Sequence, residues 1–238
     1  MVRAQPSVEG WLREAACERP RQGVSAAVAV PAPYLFAAAA RLQGSAVAWG
    51  GQDVSWDEEG AHTGEVSAGM LAEAKASLVI VGHSERRLRF GETDAQIAAK
   101  ALRAAAAGIR PLVCVGELAV ERRDGRAEAV VAAQVDALLI GLKGQTQGLL
   151  VAYEPIWAIG TGVAASPADA AAMHSVIRNR LSALGNRVPV LYGGSVSPEN
   201  AGEFMAIADV DGVLVGGGSL RTESFFAICD AAERCAGV

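Results

Sequence analysis

Four apolar runs in this 238-residue chain end on residues able to move a proton or hold an anion. LVIVG (78–82) runs into His83-Ser84-Glu85-Arg86-Arg87, and LLVAY (149–153) into Glu154. VPVLYG (188–193) runs into Gly194-Ser195-Val196, and GVLVG (212–216) into Gly217-Gly218-Ser219. A carboxylate can take a proton from carbon. A neutral imidazole can donate a hydrogen bond to the oxygen that gains charge as the proton leaves. His83 stands just before an expected helix start, where the helix dipole disfavours imidazolium. Each residue alone also has an ordinary reading: Glu154 as a solvated turn acid, His83 as a structural histidine. His62, in a loop, and His174, inside an expected helix, read as surface or core residues.

The glycines carry a second signal. YGGSV (192–196) and VGGGSL (215–220) let backbone N–H groups approach a ligand at a helix start, a setting that binds phosphate. One such pair is as readily a tight turn, but two on successive strand ends point to phosphate. The loop after Glu154, PIWAIGTG (155–162), is apolar, although connecting loops run over the wet surface. It reads as a hinged cover that keeps water from a carboxylate base.

Positioning these groups falls to alternating strands and helices. Strands are expected at 25–30, 46–50, 78–82, 111–116, 149–153, 188–193 and 212–216. Each is nearly continuous in apolar residues, which fits parallel strands covered on both faces. Helices are expected over 93–108, closed by Gly108, over 128–139, and over 166–185. The last starts with Ser166 as N-cap, Pro167 and Asp169 in the first turn, and stops at Gly185. SPEN (197–200) repeats the start signal. The pattern is one α/β domain spanning 1–238, with no linker, low-complexity tract or charge block. An open doubly wound sheet and a closed (β/α)8 barrel compete. Length favours the barrel, which typically needs about 250 residues, though only seven strands are counted.

Composition narrows the partners. A net charge of −5 and a pI near 5.3 argue against nucleic acid or an anionic membrane, both of which need a basic face. The most apolar stretch, 24–40, is broken by Pro31 and Pro33 and reads as strand, turn and helix rather than a membrane span. Cys17, Cys114, Cys229 and Cys235 form no C-x-x-C pair and read as reduced, core-packed thiols of a cytoplasmic protein.

VGHSERR, CVGE, YEPIWAIGTG, YGGSVSPEN and DGVLVGG together resemble the triosephosphate isomerase family in order and spacing, and AWGGQDVSWDEEGAHTGEVSAGML resembles its third loop. That family is itself the type example of the barrel invoked above. The resemblance runs from residue 24 to near the end. It implies interconversion of dihydroxyacetone phosphate and glyceraldehyde 3-phosphate, with no cofactor and no metal. Glu154 would shuttle the proton and His83 would polarise the carbonyl. Pro155–Gly162 would be the lid, and Gly160, Ser195, Gly216 and Gly217 would cradle the phosphate. A homodimer is implied through the 52–66 loop with Gln52, Thr63, Gly64 and Glu65. Arg87, Glu92 and Cys114 match positions of supporting role.

One departure stands out. The family opens with a strand ending in Asn-x-Lys, whereas this chain opens MVRAQPSVEGWLREAACE, which resembles the end of the first loop and the first helix. The expectation is therefore a (β/α)8 barrel missing its first strand, with open edges and no catalytic lysine. Glu85, which matches that lysine's partner, would be a buried acid left unpaired. A preceding segment absent from this chain is the favoured explanation; Arg3 as substitute cation and a genuinely strand-deficient chain are the others. Much reduced isomerase activity is expected. Competing functions are another phosphate-binding barrel enzyme and a barrel that binds a phosphate ligand or partner without turnover. An aldolase would need a Schiff-base lysine at a strand end, and Lys75, Lys100 and Lys143 all fall in or near helices.

Overall fold

The computed structural model describes residues 7–160 and 164–237. Arg3 and the far end of the expected lid, Thr161 and Gly162, lie outside the described residues. Seven strands form one parallel sheet in chain order: β1 (Ala26–Val30), β2 (Val47–Gly51), β3 (Leu78–Val81), β4 (Arg110–Val115), β5 (Leu150–Tyr153), β6 (Val190–Tyr192) and β7 (Gly212–Val213). Between and around them run α1 (Val8–Ala16), α2 (Leu35–Leu42), α3 (Ala68–Glu73), α4 (Ser84–Phe90), α5 (Asp94–Ala106), α6 (Ala119–Arg123), α7 (Ala127–Leu142), α8 (Pro167–Leu181), α9 (Ala201–Met205) and α10 (Thr222–Ala236).

The two faces of the sheet differ, and this separates the two architectures. Leu112 and Cys114 of β4 and Leu150 and Ala152 of β5 pack with Leu78, Ile80, Leu191 and Leu214, all of them strand or strand-end residues. The intervening residues Val113, Val115, Val151, Tyr153, Val190 and Tyr192 pack with helix residues such as Leu42, Ile97, Leu138 and Ile177. Helices therefore cover one face only. A doubly wound sheet carries them on both, so the sheet is curled with its strand-only core inside. The helix layer runs on from α2 through α1 to α10.

α1 joins the two extremes of the chain. Trp11 donates its indole N–H to Ser219 O at 3.1 Å and meets Phe225 edge-on at 5.5 Å. Just past the helix, Arg19 pairs with Glu233 at 2.6 Å and Arg21 with Asp230 at 2.7 Å. Among the described residues β1 and β7 pair on one side only, and they are less buried than β4 and β5.

Local sequence explains the element ends. Ser166 accepts from Asp169 N while Asp169 accepts from Ser166 N, and Pro167 opens α8. The helix stops at Leu181 and passes through a 3-10 turn to Gly185, whose φ is +70°. Strand β7 is shorter than expected: its last cross-strand bond runs from Leu214 N to Tyr192 O at 2.9 Å, and residues 215–216 lead into the glycine turn at Gly217–Ser219. Cys114 and Cys229 are buried, but Cys17 is exposed, one residue past the end of α1, so the core expectation fails there. Among the described residues no helix is long and apolar enough to cross a membrane.

Candidate active site

Five of the expected site residues stand at or just beyond the C-terminal end of a strand: His83 after β3, Glu154 after β5, Ser195 after β6, and Gly216 and Gly217 after β7; Glu85 lies in α4, and Gly160 farther along the segment after β5. His83 is the N-cap of α4, and its Nδ1 accepts the Glu85 N–H at 3.3 Å. That acceptor role places the neutral ring's proton on Nε2. Nε2 lies 3.0 Å from Glu154 Oε1. The pair joins residues 71 positions apart, the geometry that neither residue could reveal alone.

Glu154 is 2% exposed, and its carboxylate is held on both oxygens. Ser84 donates its backbone N–H to Oε2 at 2.8 Å and its hydroxyl to Oε1 at 3.3 Å. These are donors from the first turn of α4, so an anion also meets the favourable end of a helix dipole. The backbone of Glu154 is fixed by its N–H to Val115 O at 2.8 Å. Gly116 beside it has no room for a side chain, since a Cβ there would stand 1.8 Å from Glu154 O.

Burial holds the His83 imidazolium down, but the hydrogen bond and charge of Glu154, with the charge of Glu85, raise its pKa above the ordinary value while the two face each other. The Glu85 N–H on Nδ1 works the other way, because a protonated ring loses that acceptor. Neutrality of His83 therefore depends on what Nε2 faces. Glu85 departs from expectation: it is exposed on the first turn of α4, not buried, because the helix start turns its side chain to solvent while its N–H faces His83.

The segment after Glu154 is anchored at its start. Ile156–Ala158 form a 3-10 turn, with Ala158 buried and Trp157 half-buried. Trp157 donates its indole N–H to Glu117 at 2.8 Å, and Tyr153 donates its hydroxyl to the same oxygen at 3.1 Å. The Arg122 guanidinium lies 4.2 Å over the Trp157 ring. Burial pushes the Glu117 carboxyl above its usual range. Trp157 is thus packed and tethered at the start of this segment. Gly160 is exposed, with φ +71°, a conformation that favours glycine.

The glycine ends are open. Ser195, Gly216 and Gly217 are exposed. Gly216 O accepts both the N–H of Ser219, at 3.0 Å, and its hydroxyl, at 2.7 Å, which closes the turn. Asn200 ties Ser195 O at 2.9 Å and Ser197 N at 2.8 Å.

Sequence reading missed Ser84, Glu117 and a buried charge knot. Glu117 stands just past the end of β4, and a search of every strand end would have found it. In the knot, Lys100 is wholly buried and reaches Asp53 at 2.7 Å and Glu92 at 2.6 Å, and Arg86 joins both acids. It fastens α4, and so His83, to α5 and the loop after β2.

The family model described as triosephosphate isomerase matches residues 3–232. The chain is 53% identical over 207 residues to a triosephosphate isomerase of Ralstonia nicotianae, covering 85% of this chain and 84% of the relative. It is 51% identical over 219 residues to that of Thiobacillus denitrificans, covering 90% and 88%. It is 50% identical over 207 residues to that of Herpetosiphon aurantiacus, covering 84% and 83%. An acid and an imidazole in hydrogen-bond contact at the rim of a one-sided α/β sheet, in a chain matched along nearly its whole length, place it in the triosephosphate isomerase family.

Proposed function

We propose that the chain interconverts dihydroxyacetone phosphate and D-glyceraldehyde 3-phosphate, with Glu154 as base and His83 as electrophile. The observation that carries this reading is the 3.0 Å contact between His83 Nε2 and Glu154 Oε1, with Nδ1 already occupied by the Glu85 N–H. The carboxylate takes a proton from one carbon and returns it to its neighbour. The His83 Nε2–H donates to the carbonyl oxygen and follows it as charge grows in the enediolate. When a carbonyl replaces the carboxylate at Nε2, the upward push on the imidazole weakens and the neutral donor is favoured. A proton moved between adjacent carbons requires neither cofactor nor metal.

Gly160, Ser195, Gly216 and Gly217 hold the phosphate through backbone N–H groups, and their exposure leaves them accessible. Glu85 is the carboxylate that would pair with an ammonium at the mouth. The chain's lysines offer none. Lys100 is buried, and Lys75 and Lys143 stand in left-handed turns before β3 and β5, at the opposite end of the sheet. The barrel is read as one domain over residues 1–238. A homodimer forms through the 52–66 loop, supported by exposed Trp56, Met70, Leu88 and Phe90 on or near it and on α4. The protein is cytoplasmic.

A coupled spectrophotometric assay with each triose phosphate tests the reading. The parent chain shows measurable isomerisation, and Glu154→Gln lowers kcat by about 10²- to 10⁴-fold. Equal rates in both proteins, or none in the parent above the enzyme-free blank, would refute it.

A further inference from the structure

Gln134 lies on the second turn of α7, half-buried, and both of its side-chain contacts are with a backbone rather than with the catalytic carboxylate. Its side-chain amide grips both polar groups of one peptide residue. Oε1 accepts the Gly116 N–H at 2.8 Å, and Nε2 donates to Gly116 O at 3.0 Å. The two contacts fix the amide's orientation, since a flipped amide would set donor against donor. This is the pairing a neighbouring strand would offer, supplied by a helix one residue beyond the end of β4.

The gripped residue matters because of what surrounds it. Gly116 presses so closely on Glu154 that a Cβ would fall 1.8 Å from the Glu154 carbonyl oxygen. Val115, one residue before, accepts the Glu154 N–H at 2.8 Å. Glu117, one residue after, holds Trp157 at 2.8 Å and Tyr153 at 3.1 Å. Three consecutive residues thus set the backbone of the acid and the start of the segment behind it. The middle one is held by a single amide.

We propose that Gln134 is a positioning residue for the isomerisation: by clamping Gly116 it fixes the height of Glu154 and the seat of Trp157 together. The proposal rests on the reading of Glu154 as the base. The clamp needs an acceptor and a donor at once, so Gln134→Glu and Gln134→Leu separate it from packing. At pH 8 the introduced carboxylate still accepts the Gly116 N–H but sets a second acceptor against Gly116 O. As pH falls and the carboxyl takes a proton, it becomes a donor and the clamp re-forms.

Steady-state kinetics from pH 8 down to 5, relative to the parent at each pH, read this out. Gln134→Glu is expected to lose between about ten- and a hundredfold in kcat at pH 8, the scale of a misplaced reacting group, with KM within threefold. The loss shrinks as pH falls. Gln134→Leu loses kcat at every pH. The indole N–H resonance of 15N-labelled Trp157 moves in both variants, and in Gln134→Glu it returns toward the parent position on acidification. If kcat stays within twofold of the parent at pH 8, or if Gln134→Glu shows no recovery in rate and none in the Trp157 signal, the clamp is ordinary packing and the proposal is overturned. A parent without turnover would instead refute the functional reading. The Trp157 resonance alone would then decide whether the amide sets the hinge.

Discussion

Replacing Gly116 by alanine adds one methyl group where none fits. The new Cβ would stand 1.8 Å from Glu154 O and 2.9 Å from Glu154 C, both backbone atoms. Real Cβ contacts essentially never fall under 3.0 Å, so 3.0 − 1.8 gives a displacement of about 1.2 Å or more. Neither side can yield freely. Gly116 is tied to Gln134, Glu154 N to Val115 O at 2.8 Å, and Tyr153 O to the Gly193 N–H at 2.7 Å. Overpacking of this kind costs about 1–3 kcal/mol, which lowers Tm by about 2–12 °C in a chain of this size. The larger effect is on rate. A shift of about 1 Å in a reacting group costs about a hundredfold, so Gly116→Ala should lose about that in kcat at 25 °C, well below its Tm. The assay is triose phosphate turnover beside thermal unfolding followed by circular dichroism. Gly202→Ala is the control: nothing lies within 4 Å of its Cβ position, in the short helix α9, so rate should be unchanged. A Gly116→Ala protein that keeps kcat within threefold of the parent would refute the claim that this contact sets the acid.

Two further outcomes concern pH. His174 is wholly buried, with Nδ1 3.1 Å from Asp209 O, and burial lowers its pKa below the ordinary value. The unfolded chain therefore binds its proton first, and the stability from neutral His174 is complete above pH 6.5 and declines as pH falls below it. Urea midpoints between pH 8 and 5 should show this decline flattened in His174→Gln, and an unchanged slope would count against it. Glu233 is held down to about 2 by the hydrogen bond from Arg19 and the Gln22 N–H. Its contribution is present above pH 4.5 and lost as pH falls toward 2. Because the pair lies at the surface, with Arg19 exposed and Glu233 partly so, it should also weaken with salt. Arg19→Ala should remove that salt dependence, and identical salt curves would sink the idea.

How much of this was legible depends on the range of each signal. Strands β4 and β5 announce themselves as apolar runs because both faces are buried, and the Ser166–Asp169 cap is written within four residues. His83 and Glu154 could each be picked out by their place after a strand. Their contact could not, because it depends on how α4 starts against β5. Glu85 was misjudged for a related reason: one helical position decides whether a side chain faces the pocket or the solvent. The Lys100 knot and the Gln134 clamp join groups 6 to 47 residues apart. No periodicity or composition encodes such partners, which only the packed structure brings together.

The clasp between α1 and α10 has a consequence for how the molecule is made. Trp11 waits for Ser219 and Phe225, and Arg19 and Arg21 wait for Glu233 and Asp230, all more than 200 residues downstream. A ribosome adding about 5–20 residues per second leaves α1 without that partner for roughly ten seconds or longer. Meanwhile the apolar flank of Trp11 is open to a chaperone or to a neighbouring nascent chain. Helix α1 is thus among the last elements to be seated.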